Sequence, residues 1–316
     1  VLISEKFFSG GKMFRAISLI LVALSFFLSS CTSKQPDLNK TGVIKVTVSI
    51  LPQKFIVEKI GKERVKVNVM VPPAASPETY EPSPQKIMEL KDSAIYFLIG
   101  MAFEKDAFLK IKDEYKNVVF SPMYEGINLR DPDHGSHHDH GNDHPFKPDG
   151  EKDPHIWLDP VNLMKMAENT VSELMRIDQA HRVSYVQNLY LFKKEVQILH
   201  DELVDLFKES SGKGFIIYHP AWGYFADRFG LKQIPVEVEG KEPTAVKMAE
   251  LTDHMNKNKA KYIFLQPQSS AETVKSFSSQ TGVQIRFMDP LKENVLENIK
   301  DSAIMIKEGL VSAKHN

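Results

Sequence analysis

Two periodicities alternate along the chain, one of strands and one of helices. VIKVTVSI (43–50) is β-branched and alternating, and Leu51-Pro52 closes it. QKFIVEKIG (53–61) then places Phe55, Ile56 and Ile60 at helical spacing and stops at Gly61. VKVNVMV (65–71) predicts a second strand, PSPQKIMELKDS (82–93) a helix opening behind a proline, and AIYFLIG (94–100) a strand apolar on both faces. A helix over about 103–115 and a strand NVVFS (117–121) follow. After a polar, histidine-rich stretch the pattern predicts a helix over 159–177, with Asp159 as N-cap and Pro160 at its first position. A longer helix spans about 179–210, where Val183, Val186, Tyr190, Val196, Leu199, Leu203 and Leu206 recur every three or four residues. At 1.5 Å per residue it would run roughly 45 Å, enough for a spine between two lobes. The strand–helix rhythm resumes with strands at 215–219, 231–238, 262–266 and 283–288 and helices at 220–230, 243–258, 270–280 and 293–310. Repeated βα units argue for parallel sheets. The expected fold is α/β, with two lobes at 43–178 and 211–316 joined by one long linking helix, 179–210.

The start of the chain carries a different signal. From Met13 a short basic start leads into AISLILVALSFFL (16–28), then Ser29, Ser30 and Cys31. This run has the length of a secretory leader core and falls short of the roughly 20 residues of a membrane span. LSSC (28–31) resembles a bacterial lipobox, so Cys31, the chain's single cysteine, is the expected lipidation site. Residues 1–12 are expected to be upstream sequence, 13–30 a lipoprotein signal peptide, and 31–42 a polar tether. An exported chain without another cysteine has no disulfides. The expected location is extracytoplasmic, lipid-anchored to a bacterial membrane, at the periplasm or cell surface.

Composition narrows the partners. The formal net charge is −1 and no basic stripe occurs, which argues against nucleic acid. About 275 residues follow the tether, enough for two lobes and a chain expected to be monomeric.

Metal chemistry has two candidate locations. DPDHGSHHDHGNDHP (131–145) holds His134, His137, His138, His140 and His144, five of the eleven histidines. It nearly spells the H-x-H-x-D-H pattern of binuclear metallohydrolases but has one residue too many. It lacks a preceding strand, and the chain has no HExxH pair. Residues 131–147 therefore read as an accessory metal-trapping loop, or as a solvated insertion, and the chain is not expected to be an enzyme. The other location is the crevice beyond the carboxyl ends of parallel strands. His219 and Asp289 each follow a strand there, Glu78 and Glu81 lie in the loop after 65–71, and His155 sits in DPHIWLDP. Each has a plainer reading. Asp289, before Pro290, could cap the last helix; His219 could be a hydrogen-bonded strand-end residue; His155, Glu78 and Glu81 could be loop residues in solvent.

Four segments carry a resemblance. ASPETYEPSPQKIMEL, DPHIWLDPVN, YHPAWGYFADRFGL and IFLQPQSSAETVKSFSSQTGVQIRFMDPL stand in order over residues 43–310. Together they resemble the zinc/manganese ABC-transporter substrate-binding lipoproteins, the zinc type with a His-rich loop. The resemblance implies two (β/α)4-type lobes with parallel sheets, a long spine helix, and one metal site in the cleft between lobes. Carried over by position, the ligands are Glu78, His155, His219 and Asp289. Glu78 is a departure, standing where the family has its first histidine, with Glu81 as the fallback. Gln266 is a second departure, standing where many members have Glu. The implied role is capture of Zn2+ and its delivery to an ABC permease. The alternatives are a Mn2+ receptor of the same family and a metal-stabilised surface adhesin.

Overall fold

The computed structural model describes residues 42–109, 111–133, 152–237, 244–268, 272, 275, 279 and 283–312. The leader, Cys31, the tether up to residue 41 and all five histidines of the accessory loop lie outside the described residues, as does most of the helix expected at 270–280.

The first lobe is built from β1 (Ile44–Val48), α1 (Leu51–Gly61), β2 (Val65–Val69), α2 (Pro84–Glu89), β3 (Ile95–Leu98) and β4 (Val119–Pro122). Its strands run parallel in the order β2-β1-β3-β4. Two helices follow, α3 (Pro160–Ile177) and α4 (Arg182–Phe207). The second lobe comprises β5 (Lys213–Ile217), α5 (Gly223–Arg228), β6 (Lys232–Pro235), α6 (Ala245–Asn258), β7 (Tyr262–Leu265), β8 (Gln284–Phe287), α7 (Val295–Glu308) and β9 (Val311–Ser312). Its parallel strands are ordered β6-β5-β7-β8, the same winding as the first sheet, and β9 adds antiparallel to β5. In both sheets the order reverses beside the first strand, which opens a crevice at the carboxyl ends of β1/β3 and β5/β7.

The expected α/β architecture is observed. α4 is the long helix; its 26 residues give about 39 Å. Its phase differs from the expected one in the first half. Val183, Val186 and Tyr190 are exposed, while Tyr185, Phe192, Val196, Leu199, Leu203 and Phe207 face inward. Two apolar stripes compete there, and the one that brings Tyr185 and Phe192 buries more area. Asp178 sets the corner before α4, accepting from Arg64, His181 and the Tyr185 hydroxyl.

The helix expected over 103–115 is replaced by a wide π turn at Glu104–Leu109 and a short 3-10 turn at Lys112–Glu114. Here the Glu104 side chain points inward and takes backbone N–H groups of the preceding turn.

One apolar cluster runs from the first sheet along α3 and α4 to the inner face of the second sheet. A smaller cluster fills the other face of that sheet under α6. Polar ties also cross between lobes. The Trp157 indole donates to the Pro290 carbonyl at 2.7 Å, Arg228 pairs with Asp159 at 2.8 Å, and Lys54 pairs with Glu293. Among the described residues no helix is long and apolar enough to cross a membrane.

Candidate metal centre

The crevice gathers its side chains from three loops. β5 ends at Ile217, and His219 stands just beyond it, where a tight turn brings Ala221 N to the His219 carbonyl at 2.9 Å. His155 is set by its own neighbour, because Asp153 Oδ1 accepts from both His155 N (3.0 Å) and His155 Nδ1 (2.7 Å). A short 3-10 turn (Ile156–Leu158) and the Asp159 cap follow and lead into α3. Glu78 lies in the loop after β2. That loop turns at Ala74, whose φ of 68° is in the left-handed region, and is anchored where Tyr80 packs edge-on against Phe103.

These loops bring three donor atoms together. His155 Nε2 and His219 Nε2 are 3.3 Å apart, and Glu78 Oε1 lies 3.4 Å from the first and 3.3 Å from the second. Bonds of roughly 2.0–2.2 Å place the donors of a tetrahedral zinc ion roughly 3.3–3.6 Å apart, so this triangle matches one face of such a shell.

Each donor is oriented from behind. His155 Nδ1 donates to Asp153, His219 Nδ1 donates to Glu237 at 2.5 Å, and the second Glu78 oxygen accepts from the Ser76 hydroxyl. With both Nδ1 atoms carrying the proton, both Nε2 atoms present lone pairs to each other and to a carboxylate. Three acceptors facing one another need a cation or a shared proton between them.

The electrostatics agree. Burial alone would lower His219, but its hydrogen bonds to Glu237 and Glu78 raise it to about 10. Burial opposes His155 too, and Asp153 raises it. Burial alone would raise the Glu78 carboxyl, yet its close contact with the His155 and His219 imidazoles holds it well below the usual carboxylate range.

The three side chains border a cavity of about 270 Å3, which Met101, Asp133 and Lys152 also line. Its wall is pinned by Arg130, which bridges Asp133, Asp153 and, across the lobes, Asp227. The guanidinium lies over Gly223, where a Cβ would fall 1.7 Å from Arg130 Nη1. Gly223→Ala is therefore expected to eject Arg130 from its three carboxylates and cost about 1–3 kcal/mol, measurable by chemical denaturation.

Of the four ligands implied by sequence, Glu78, His155 and His219 converge, and Asp289 does not join them. Its Oδ1 accepts from Leu291 N (2.9 Å) and from the Gln268 amide (2.8 Å), and it borders a separate cavity with Pro72, Pro73 and Glu293. Nor does it cap the last helix, since Asn294 holds that place. Glu81 is exposed and outside the group. Sequence reasoning missed Ser76, Asp153 and Glu237. Asp153 was within reach as the carboxylate two residues before His155. Glu237 was not, because it is brought to His219 only by the pairing of β5 with β6, which places Glu237 N 3.1 Å from the Tyr218 carbonyl.

The model of the family described as zinc-uptake complex component A, periplasmic (ZnuA), matches residues 46–308. The chain belongs to the ZnuA family. ZnuA relatives include the high-affinity zinc uptake system protein of Bacillus subtilis, 26% identical over 284 residues, covering 87% of this chain and 88% of the relative. The zinc-binding lipoprotein AdcA of Streptococcus pneumoniae is 25% identical over 297 residues, covering 90% of this chain. The match takes in only 57% of AdcA, so the chain spans little more than half of that relative. A crystal structure of ZnuA superposes with a TM-score of 0.77 at 32% identity, covering 84% of this chain and 99% of that one. A zinc-bound ZnuA deletion mutant gives a TM-score of 0.76 at 32% identity, covering 87% of this chain and all of that one.

Proposed function

We propose that the chain is an extracytoplasmic receptor that captures Zn2+ at Glu78, His155 and His219 and hands it to an ABC permease. The single observation that carries this is the triangle of three donor atoms, each oriented by its own hydrogen-bond partner. Family membership supports the transport role, and relatives named as zinc-uptake proteins support the cargo. One carboxylate and two imidazoles bind a divalent ion and let it go.

Zinc is favoured over manganese on two grounds. The donor spacing suits a tetrahedral ion, and affinity at nitrogen and oxygen donors rises from Mn2+ towards Zn2+. The ion's charge is met by Glu78, and Asp153 and Glu237 add negative charge through the rings. The lipid anchor at Cys31 and a monomeric state belong to the same proposal, with the anchored chain held at the membrane beside its permease.

The test is a calorimetric Zn2+ titration of the chain from residue 34 onward, with and without residues 135–150. One tight site per chain, kept in the deletion, is the expected result. Loss of the tight site with the deletion would move the centre to the histidine-rich segment and overturn the proposal.

A proton accompanies the ion. With His219 raised to about 10 in the metal-free protein, a proton occupies the triangle at neutral pH and Zn2+ must displace it. Affinity therefore rises with pH until the group titrates. Titrations at pH 7 in buffers of different ionisation enthalpy are expected to show release of about one proton per ion.

A further inference from the structure

A buried carboxylate beneath the cleft is used by none of the steps above. Glu104 is 2% exposed and has no part in the donor triangle. Its two oxygens accept from Ile99 N (2.9 Å), Gly100 N (2.7 Å), Met101 N (3.1 Å) and the Ser49 hydroxyl. Ser49 follows β1 and the 99–101 turn follows β3, so Glu104 joins the two strand ends at the point where the strand order reverses. The turn is one only an acceptor can hold. Gly100 has a φ of 97°, and three successive N–H groups point at one carboxylate. Gly100 and Met101 line the same cavity as the metal ligands. The next residue but one, Phe103, meets Tyr80 edge-on, with centroids 5.4 Å apart and planes at 85°. Tyr80 lies two residues beyond Glu78.

We propose that Glu104 is a positioning residue for the metal centre: by holding the 99–101 turn it seats Phe103 against Tyr80, and this contact fixes Glu78 opposite the two imidazoles. The proposal rests on the assignment of Glu78, His155 and His219 as the ligands. It explains why a side chain with two acceptor oxygens stands here. A glutamine would turn an NH2 group towards N–H donors, and the turn would have to open. Glu78 needs such outside support more than the imidazoles do. It sits on a loop, its side chain is 32% exposed, and among the described residues its support from outside the triangle comes from Ser76, two residues away on the same loop.

The experiment compares the full chain with Glu104→Gln, Phe103→Leu and the double variant. Zn2+ affinity is read by chelator competition, the ligand-field absorption of bound Co2+ at saturation reports coordination, and melting of the metal-free protein reports stability. Glu104→Gln is expected to weaken Zn2+ about tenfold and to shift the Co2+ bands, as loss of outer support for a ligand does. Phe103→Leu leaves the carboxylate and its donors in place but is expected to move both readouts the same way. The double variant should bind no more weakly than Glu104→Gln alone, because both changes cut one path. A lowered melting temperature with wild-type affinity and wild-type Co2+ bands would overturn the proposal. So would full additivity of the two changes, and so would a Phe103→Leu protein with unaltered Co2+ bands, which decides the matter if Glu104→Gln does not fold. Wild-type binding in the same series separates the two readings. A wild type that binds no Zn2+ overturns the ligand assignment and this proposal with it, whereas intact wild-type binding with unaltered variants overturns this proposal alone.

Discussion

His219→Ala leaves a folded protein that has lost tight Zn2+ binding. The imidazole is one of three donors, and the only one from the second lobe. Removing a partner behind a ligand costs 10- to 100-fold in affinity, so removing the ligand itself is expected to cost more than about 100-fold. Chelator competition measures it directly. The fold should tolerate the change. His219 stands at a strand end, and alanine there leaves the β5 pairing with β6 untouched. What remains is Glu237, whose partner has gone, buried beside the cavity. Retention of wild-type affinity in this variant would show that the triangle is not the site.

Trp157→Ala acts on the frame that holds the centre. The indole is fully buried, donates to the Pro290 carbonyl in the other lobe, and lies with its ring 5.2 Å from that of His155. Truncation leaves a cavity at the lobe junction and an unpaired carbonyl, a loss of about 3–5 kcal/mol. Thermal melting of the metal-free protein should fall by something on the order of 10 °C. Zn2+ affinity should fall as well, because His155 loses the face it packs against. Trp157→Phe separates the two parts of the effect. It fills most of the volume and forfeits the hydrogen bond, so its cost is expected near about 1–3 kcal/mol.

Much of this structure is legible in the sequence, and the parts that are not share a cause. The strands from β1 to β8 are local patterns, readable residue by residue. β9 is two residues long and exists only because β5 offers an edge. His155 and His219 are found by their place at segment ends within family-like motifs, and Glu78 by alignment of its loop. Asp289 looks equivalent by the same reasoning, but its carboxylate bonds two residues ahead to Leu291 N, a local closure that spacing does not reveal. Glu237 becomes a neighbour of His219 only through strand pairing. In the first turns of α4, two stripes both satisfy the helical period. Only packing against α1, where Phe55 meets Phe192 at 6.5 Å, decides that Phe192 goes inside and Tyr190 stays out. Glu104 belongs with these. A charged residue in a helix-like stretch reads as solvent-facing until the turn beneath it is seen.

The apolar cluster that passes from one sheet to the other along α4 has a consequence for endurance. The larger core is shared between the halves, and only the smaller cluster under α6 belongs to one of them, so the two lobes are expected to unfold together as one cooperative unit. An ion held in the cleft then weights that single equilibrium, by an amount that grows with the logarithm of its free concentration. Under the proposed function, the protein is expected to be most durable when Zn2+ is plentiful and most exposed to proteolysis when the cell is starved of it.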